Sequence, residues 1–209
     1  LYSRATGAED HVGLPDQRKF SPLFPSYHSL LANLLGLRWI ATGAPVESMD
    51  KRLQPGELRL VAKPENAFIY ENADALPRVL FATRAETASF DEIVTSGRWP
   101  TFDPKTTVLL ARPDAADKSR RPGTARIVAY HQTRIVLEAS SPDGGWLVLN
   151  DVWHPWWTAT IDGRQSRIEQ ANVLFRAIEV PAGRHQVIME FQPLAGIWKE
   201  IAGRSGRSH

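Results

Sequence analysis

The dipeptide Asp162-Gly163 sits between two β-prone segments, 157–161 and 164–168, and it sets the tightest local constraint on what this chain can fold into. A two-residue type I′ hairpin needs φ > 0 at both turn positions, and Asp-Gly tolerates that. The hairpin belongs to a longer series. Ile127 and Ala129 alternate with Arg126 and Tyr130, and Ile135, Leu137 and Ala139 alternate with Arg134 and Glu138. Segments 146–151, 175–180 and 185–191 continue the pattern. Seven short strands after Gly123, with turns at Gln132, Asp143-Gly144-Gly145, Asp162-Gly163 and Ala182-Gly183, predict an antiparallel, jelly-roll-like β-sandwich. Period-two alternation puts Val187, Met189 and Phe191 on one side of the last strand.

The part before Gly123 is less regular, so the whole chain is predicted to be mainly β with a minor α component, its smaller N-terminal part α+β. Residues 1–26, with Pro15, Pro22 and Pro25, read as an extended lead-in. In 27–110, Leu30, Leu31, Leu34 and Leu35 mark one face of a helix over 27–35, and Gly36 stands at its C-cap. Strands are expected at 38–42, 58–62, 67–70 and 79–83, and a second helix at 88–96 ended by Gly97. The Arg/Pro/Asp-rich stretch 111–123 reads as a linker loop ahead of a sandwich at 124–193, and 194–209 as a basic tail.

A chain of 209 residues can bury a core without covalent staples. Its 25 Lys and Arg against 23 Asp and Glu leave a formal charge of +2, too little for a nucleic-acid footprint. With no cysteine there are no disulfides, thiolate metal sites or cysteine nucleophiles. The longest apolar stretch, 30–46, is broken by Asn33, Arg38 and Pro45 and is not expected to span a membrane. The start lacks a secretory signal, so any targeting element is expected outside this segment.

Several blocks occur in an order that resembles the C-terminal region of YfhO-type bacterial membrane proteins, relatives of the GT-C glycosyltransferases. They are Asn33-Leu34-Leu35-Gly36-Leu37-Arg38-Trp39-Ile40, Tyr70-Glu71-Asn72, Leu76-Pro77-Arg78, Leu149-Asn150-Asp151, Pro155-Trp156-Trp157, Asp162-Gly163, Phe175-Arg176 and Pro181-Ala182-Gly183-Arg184-His185. The likeness runs from about residue 34 to 193. The chain departs from the family's Pro-Gly-Trp at Trp156 and from its tyrosine before proline at Phe191-Gln192-Pro193. The resemblance implies an extracytoplasmic, periplasmic domain whose partners are the transmembrane part of the same protein and a glycan or lipid-linked sugar. It also implies that the catalytic carboxylate lies on a loop near absent helices, so no catalytic residue carries over.

Sugar binding suits the residues around the tryptophan-rich corner. Aromatic rings offer apolar faces to sugar C–H groups while amides and carboxylates bind hydroxyls. Trp153, His154 and Trp156, with Asp151 and Asn172 as polar partners, form the candidate site, and Trp157 is expected inward. Packing is the structural alternative, with Trp153 and Trp156 covering a sheet edge or the first half of the chain. Two other classes stay open. One is a soluble carbohydrate-active hydrolase using Asp151 and Asp162, and the other is a structural protein-interaction module. Arg176 is expected to pair with Asp151 or Asp162. Asp151, His154 and His185 lack metal-ligand spacing, and no phosphate-binding glycine loop or serine-nucleophile motif occurs, so neither a metal nor a cofactor is expected. Tyr70, Glu71, Asn72 and Arg78 read as an ordered polar loop.

Overall fold

The structure is a computed structural model and describes residues 20–112 and 120–193. Most of the lead-in, 113–119 of the linker and the basic tail at 194–209 lie outside them. The chain divides into two units, Leu1–Arg78 with Ala88–Pro104, and Val79–Thr87 with Lys105–His209.

In the first unit, helix α1 covers Leu30–Leu34 and buries Leu31, Ala32 and Leu34. It is shorter than the sequence suggests. The Ser29 side chain accepts from the Ala32 N–H as an N-cap, while Ser26 Oγ and the Tyr27 N–H both donate to the buried Asp50 carboxylate and draw the preceding residues out of the helix. Gly36, at φ 70°, follows the C-cap Leu35. Strand β1 (Trp39–Thr42), a four-residue helix α2 (Val46–Met49), β2 (Arg59–Ala62) and β3 (Phe68–Glu71) come next. The strands form an antiparallel sheet in the order β1-β3-β2 over a core of Ile40, Val46, Leu53, Leu58 and Tyr70. Helix α3 (Phe90–Ser96) is capped by the Ser89 side chain and ends at left-handed Gly97, close to the bounds read from the sequence.

The polar loop of this unit is structural. Asn72, almost fully buried, donates through Nδ2 to Asn33 Oδ1 and the Leu37 carbonyl and accepts the Asp74 N–H, an Asx turn. Glu71 is clamped by Arg38 and Arg59, whose hydrogen bonds hold its carboxyl below the usual range.

The second unit is the sandwich. Its strands are β4 (Val79–Ala82), β5 (Arg84–Thr87), β6 (Thr107–Leu110), β7 (Thr124–Tyr130), β8 (Arg134–Ser141), β9 (Gly145–Leu149), β10 (Trp157–Ile161), β11 (Arg164–Ser166), β12 (Glu169–Ala171), β13 (Phe175–Val180) and β14 (Gly183–Phe191). One sheet runs β11-β10-β14-β8-β7 and the other β4-β9-β13-β12-β6-β5. From β8 to β14 the chain passes between the sheets four times, the jelly-roll-like alternation expected. Ile135, Leu137, Ala139, Val187 and Met189 from the first sheet meet Phe81, Leu147, Leu149, Ile178 and Val180 from the second. Each of these side chains larger than alanine stabilises the fold by about 1.5–3 kcal/mol when fully buried. Trp157 and Phe191 are register partners, as are Ala159 and Met189, so Val187, Met189 and Phe191 share the inward face.

Two features depart from the sequence reading. The sandwich is not confined to 124–193: β4 pairs with β9, and β6 joins β12 while pairing in parallel with β5, so 79–87 and the strand at Thr107–Leu110 complete its second sheet. The expected strand at 164–168 stops early, and a further strand, not foreseen, follows at Glu169–Ala171. β11 ends at Ser166, Ile168 turns toward the core, and β12 lies in the opposite sheet. Eight strands therefore follow Gly123. No helix among the described residues is long and apolar enough to cross a membrane.

Candidate functional site at the tryptophan corner

The corner forms where β9 ends and the chain must cross to the other sheet to start β10. After Leu149, the Asp151 N–H donates back to the Leu149 carbonyl, at 2.7 Å, and the Trp153 N–H donates to the Leu174 carbonyl, also at 2.7 Å. The Trp157 N–H then donates to the His154 carbonyl, and the Gln192 N–H to that of Trp156, which fixes the corner to the end of β14.

Trp153, Trp156 and Trp157 are all half-buried, and His154 is exposed. The rings interlock rather than lie flat. His154 meets Trp156 edge-on at 4.8 Å and 77°, and Phe191 lies 5.9 Å from Trp156 at 36° and 5.4 Å from Trp157 at 49°. A curved aromatic surface results, not a coplanar platform. Trp157 faces inward, as expected, and packs half-buried against the end of the core rather than filling its middle.

Beneath Trp157 lies a buried cation. Arg176 takes an inward position on β13, two residues before Ile178, and is 1% exposed. Its Nη2 donates to Asp151 Oδ2 at 2.7 Å, and its guanidinium carbon stands 4.0 Å from the Trp157 ring centroid. Asp151 Oδ2 also accepts from Tyr130 Oη at 2.6 Å, and Oδ1 accepts the Val152 N–H. Burial pushes the Arg176 pKa down, and the charge of Asp151 opposes it. Of the two expected partners for Arg176, the fold selects Asp151.

Asn172 does not belong to the corner's surface. It is fully buried at φ 44°, its Oδ1 accepts the Leu109 N–H at 2.9 Å, and its own N–H donates to the Leu109 carbonyl. It splices β6 onto β12 and has no route to a ligand at the corner. The next residue was invisible to sequence reasoning. Val173 is held at φ 72°, a left-handed conformation costing a β-branched residue about 1–2 kcal/mol, and it sets the Leu174 carbonyl that anchors Trp153. Neither its side-chain type nor its neighbours signal that conformation.

The hydrolase pair also fails geometrically. Asp151 lies with Arg176 and Trp157 at the start of β10, whereas Asp162 follows Ile161 at its end. Five strand residues separate those ends by ~17 Å, beyond the roughly 10 Å that two glycosidic carboxylates can span. Asp162 takes φ 49° and Gly163 φ 81°, the turn expected. No group of three metal-ligating side chains converges among the described residues.

Asp162 instead clamps a neighbouring turn. Its Oδ2 lies 2.6 Å from His185 Nδ1, its Oδ1 accepts the Gln186 N–H, and His185 Nε2 lies 3.1 Å from the Ala182 carbonyl. With an acceptor at each ring nitrogen the imidazolium is favoured, so the His185 pKa is raised and that of Asp162 lowered. The raised histidine contributes stability that is complete below its unfolded pKa, about 6.5, and fades as pH rises through the folded value. The depressed carboxylate contributes above its unfolded pKa, about 3.9, and fades as pH falls through its lower folded value. Asp162→Asn keeps the turn, and its loss of melting temperature relative to the parent should therefore be largest near pH 5 and shrink on either side. A pH-independent difference would show that the charge pair does not hold the turn.

The chain matches no family model, no curated protein and no solved structure in comparisons with each.

Proposed function

We propose that this chain is a non-catalytic glycan-contacting domain, the C-terminal extracytoplasmic part of a GT-C-like bacterial membrane protein. It holds a glycan or lipid-linked sugar at the membrane face while chemistry takes place elsewhere in the full protein. One observation carries the reading. The exposed His154 and half-buried Trp156 rings meet edge-on at 4.8 Å beside Phe191, on a corner whose backbone is pinned at Trp153 by the Leu174 carbonyl and at Trp156 by the Gln192 N–H, so the surface is pre-oriented at low entropic cost. The adjacent carboxylate is committed to Arg176 and Tyr130, which suits binding better than proton transfer.

Titration with oligosaccharides of glucose, galactose, mannose and N-acetylglucosamine should change tryptophan fluorescence. Trp156→Ala should abolish the response with little change in melting temperature, whereas Trp157→Ala should cost about 3 kcal/mol by opening a cavity over Arg176. Equal destabilisation by Trp153→Ala, Trp156→Ala and Trp157→Ala, with no response to any oligosaccharide, would make the corner packing alone. The purified chain should transfer no sugar from a lipid-linked donor.

A second reading, a protein-interaction module, draws on Trp39, which is 56% exposed on β1. It predicts that Trp39→Ser weakens association with the transmembrane part of the same protein and leaves glycan titration unchanged.

A further inference from the structure

In the first unit, one face of the three-stranded sheet is open among the described residues. Register pairs Trp39 with Glu71 and Glu71 with Arg59, so the three stand in one row across β1, β3 and β2, on the face opposite the buried Ile40 and Tyr70. Ala41, Ile69 and Ala62 form the next row. Both alanines are exposed and Ile69 is half-buried. Small side chains keep that row low, and Trp39, more than half exposed, stands out beside it.

The charges of the first row are layered. The Glu71 side chain is 9% exposed, whereas those of Arg38 and Arg59 are 62% and 69% exposed. Arg38 donates to Glu71 Oε1 from Nε at 3.1 Å and from Nη2 at 2.9 Å, and Arg59 Nη2 donates to Oε2. The carboxylate therefore lies beneath two guanidinium groups and fixes where they stand. These three groups leave one positive charge, and most of the guanidinium N–H groups remain for acceptors from outside. The Arg38 guanidinium carbon also lies 5.5 Å from the Trp39 ring centroid, which ties the ring to the charged row.

We propose that this face docks on the surface of an anionic phospholipid bilayer, with Trp39 entering the headgroup zone and Arg38 and Arg59 binding lipid phosphates. An indole has an apolar body and one N–H donor, which suits the boundary between headgroups and acyl chains. Planar guanidinium groups match phosphate oxygens, and the low alanine row lets a flat surface approach. The excess charge is complementary to anionic headgroups, toward which each basic residue strengthens binding about fivefold. The docking face belongs to the first unit and needs no ligand at the tryptophan corner.

Cosedimentation of the full chain with phosphatidylcholine vesicles, with and without about one-third phosphatidylglycerol, tests the assignment. The chain should bind the anionic vesicles about fivefold more tightly, and the preference should vanish at about 1 M salt, where charges act over only about 3 Å. Arg59→Gln should remove that preference, and Arg38 still holds Glu71 in this variant, so the melting temperature should stay near the parent's. Trp39→Ala should weaken binding about tenfold, while Trp39→Tyr, which restores an interfacial ring, should keep most of it. Phosphatidylcholine with brominated acyl chains, mixed into the anionic vesicles, should quench tryptophan fluorescence in the parent and in Trp156→Ala but not in Trp39→Ala. No binding to either vesicle would overturn the proposal and leave Trp39 to a protein partner. Equal binding to both compositions would also overturn it, as would quenching that persists in Trp39→Ala, because another face would then meet the bilayer.

Discussion

Asp151→Ala should destabilise the sandwich by about 3 kcal/mol, because it strands a guanidinium that is 1% exposed and has that carboxylate as its charge partner. The reverse change should cost less. The Asp151 side chain is 25% exposed and keeps its bonds from Tyr130 and the Val152 N–H, so Arg176→Met leaves a carboxylate that water still reaches. The double variant Asp151→Ala/Arg176→Met should recover most of the loss, giving a coupling energy well above the scatter of independent sites. Chemical denaturation followed by circular dichroism measures all three. Additive losses would mean that the pair is not the corner's structural base and that Trp157 rests on packing alone.

Phe81→Ala should cost about 3–5 kcal/mol, the range for an aromatic removed from a closed core. Its ring lies among Leu147, Leu149, Ile178 and Val180 although β4 precedes the next strand of its sheet, β9, by more than sixty residues. Gly123 and Gly145 make the space. A Cβ at either would come within 2.5 Å of the Phe81 ring, so both positions need glycine for room. If β4 were an accessory to the sandwich, the loss would stay below about 1 kcal/mol and a truncated 124–193 fragment would fold alone. On the present account that fragment lacks a sheet edge and part of the core, and it should not.

The elements legible in the sequence are those whose cause is local. Asp162-Gly163 dictates its own turn, Ser89 and Gly97 bracket α3, and alternation along β8 and β14 places Ile135, Leu137, Val187 and Met189 inward without reference to the rest of the chain. The misread features depend on distant partners. The parallel pairing of β5 with β6 and the recruitment of β4 depend on strands far away along the chain, and no short-range signal announces them. Asn172 looked like a polar ligand group because its type is usually exposed, yet left-handed geometry and the Leu109 backbone bury it. Arg176 had two acids to choose from. Only the inward register of β13 and the corner after β9 decide for Asp151.

Indole N–H signals offer the most direct test of the corner as a glycan surface. In a ¹⁵N-labelled chain each tryptophan reports separately, and the same four neutral oligosaccharides can be titrated to saturation. The account predicts that the Trp153 and Trp156 signals shift together along one binding curve, that Trp157 moves little, and that Trp146, under Arg112, stays fixed. Stationary Trp153 and Trp156 signals with all four oligosaccharides would contradict it and leave the corner as the sealed end of a sandwich.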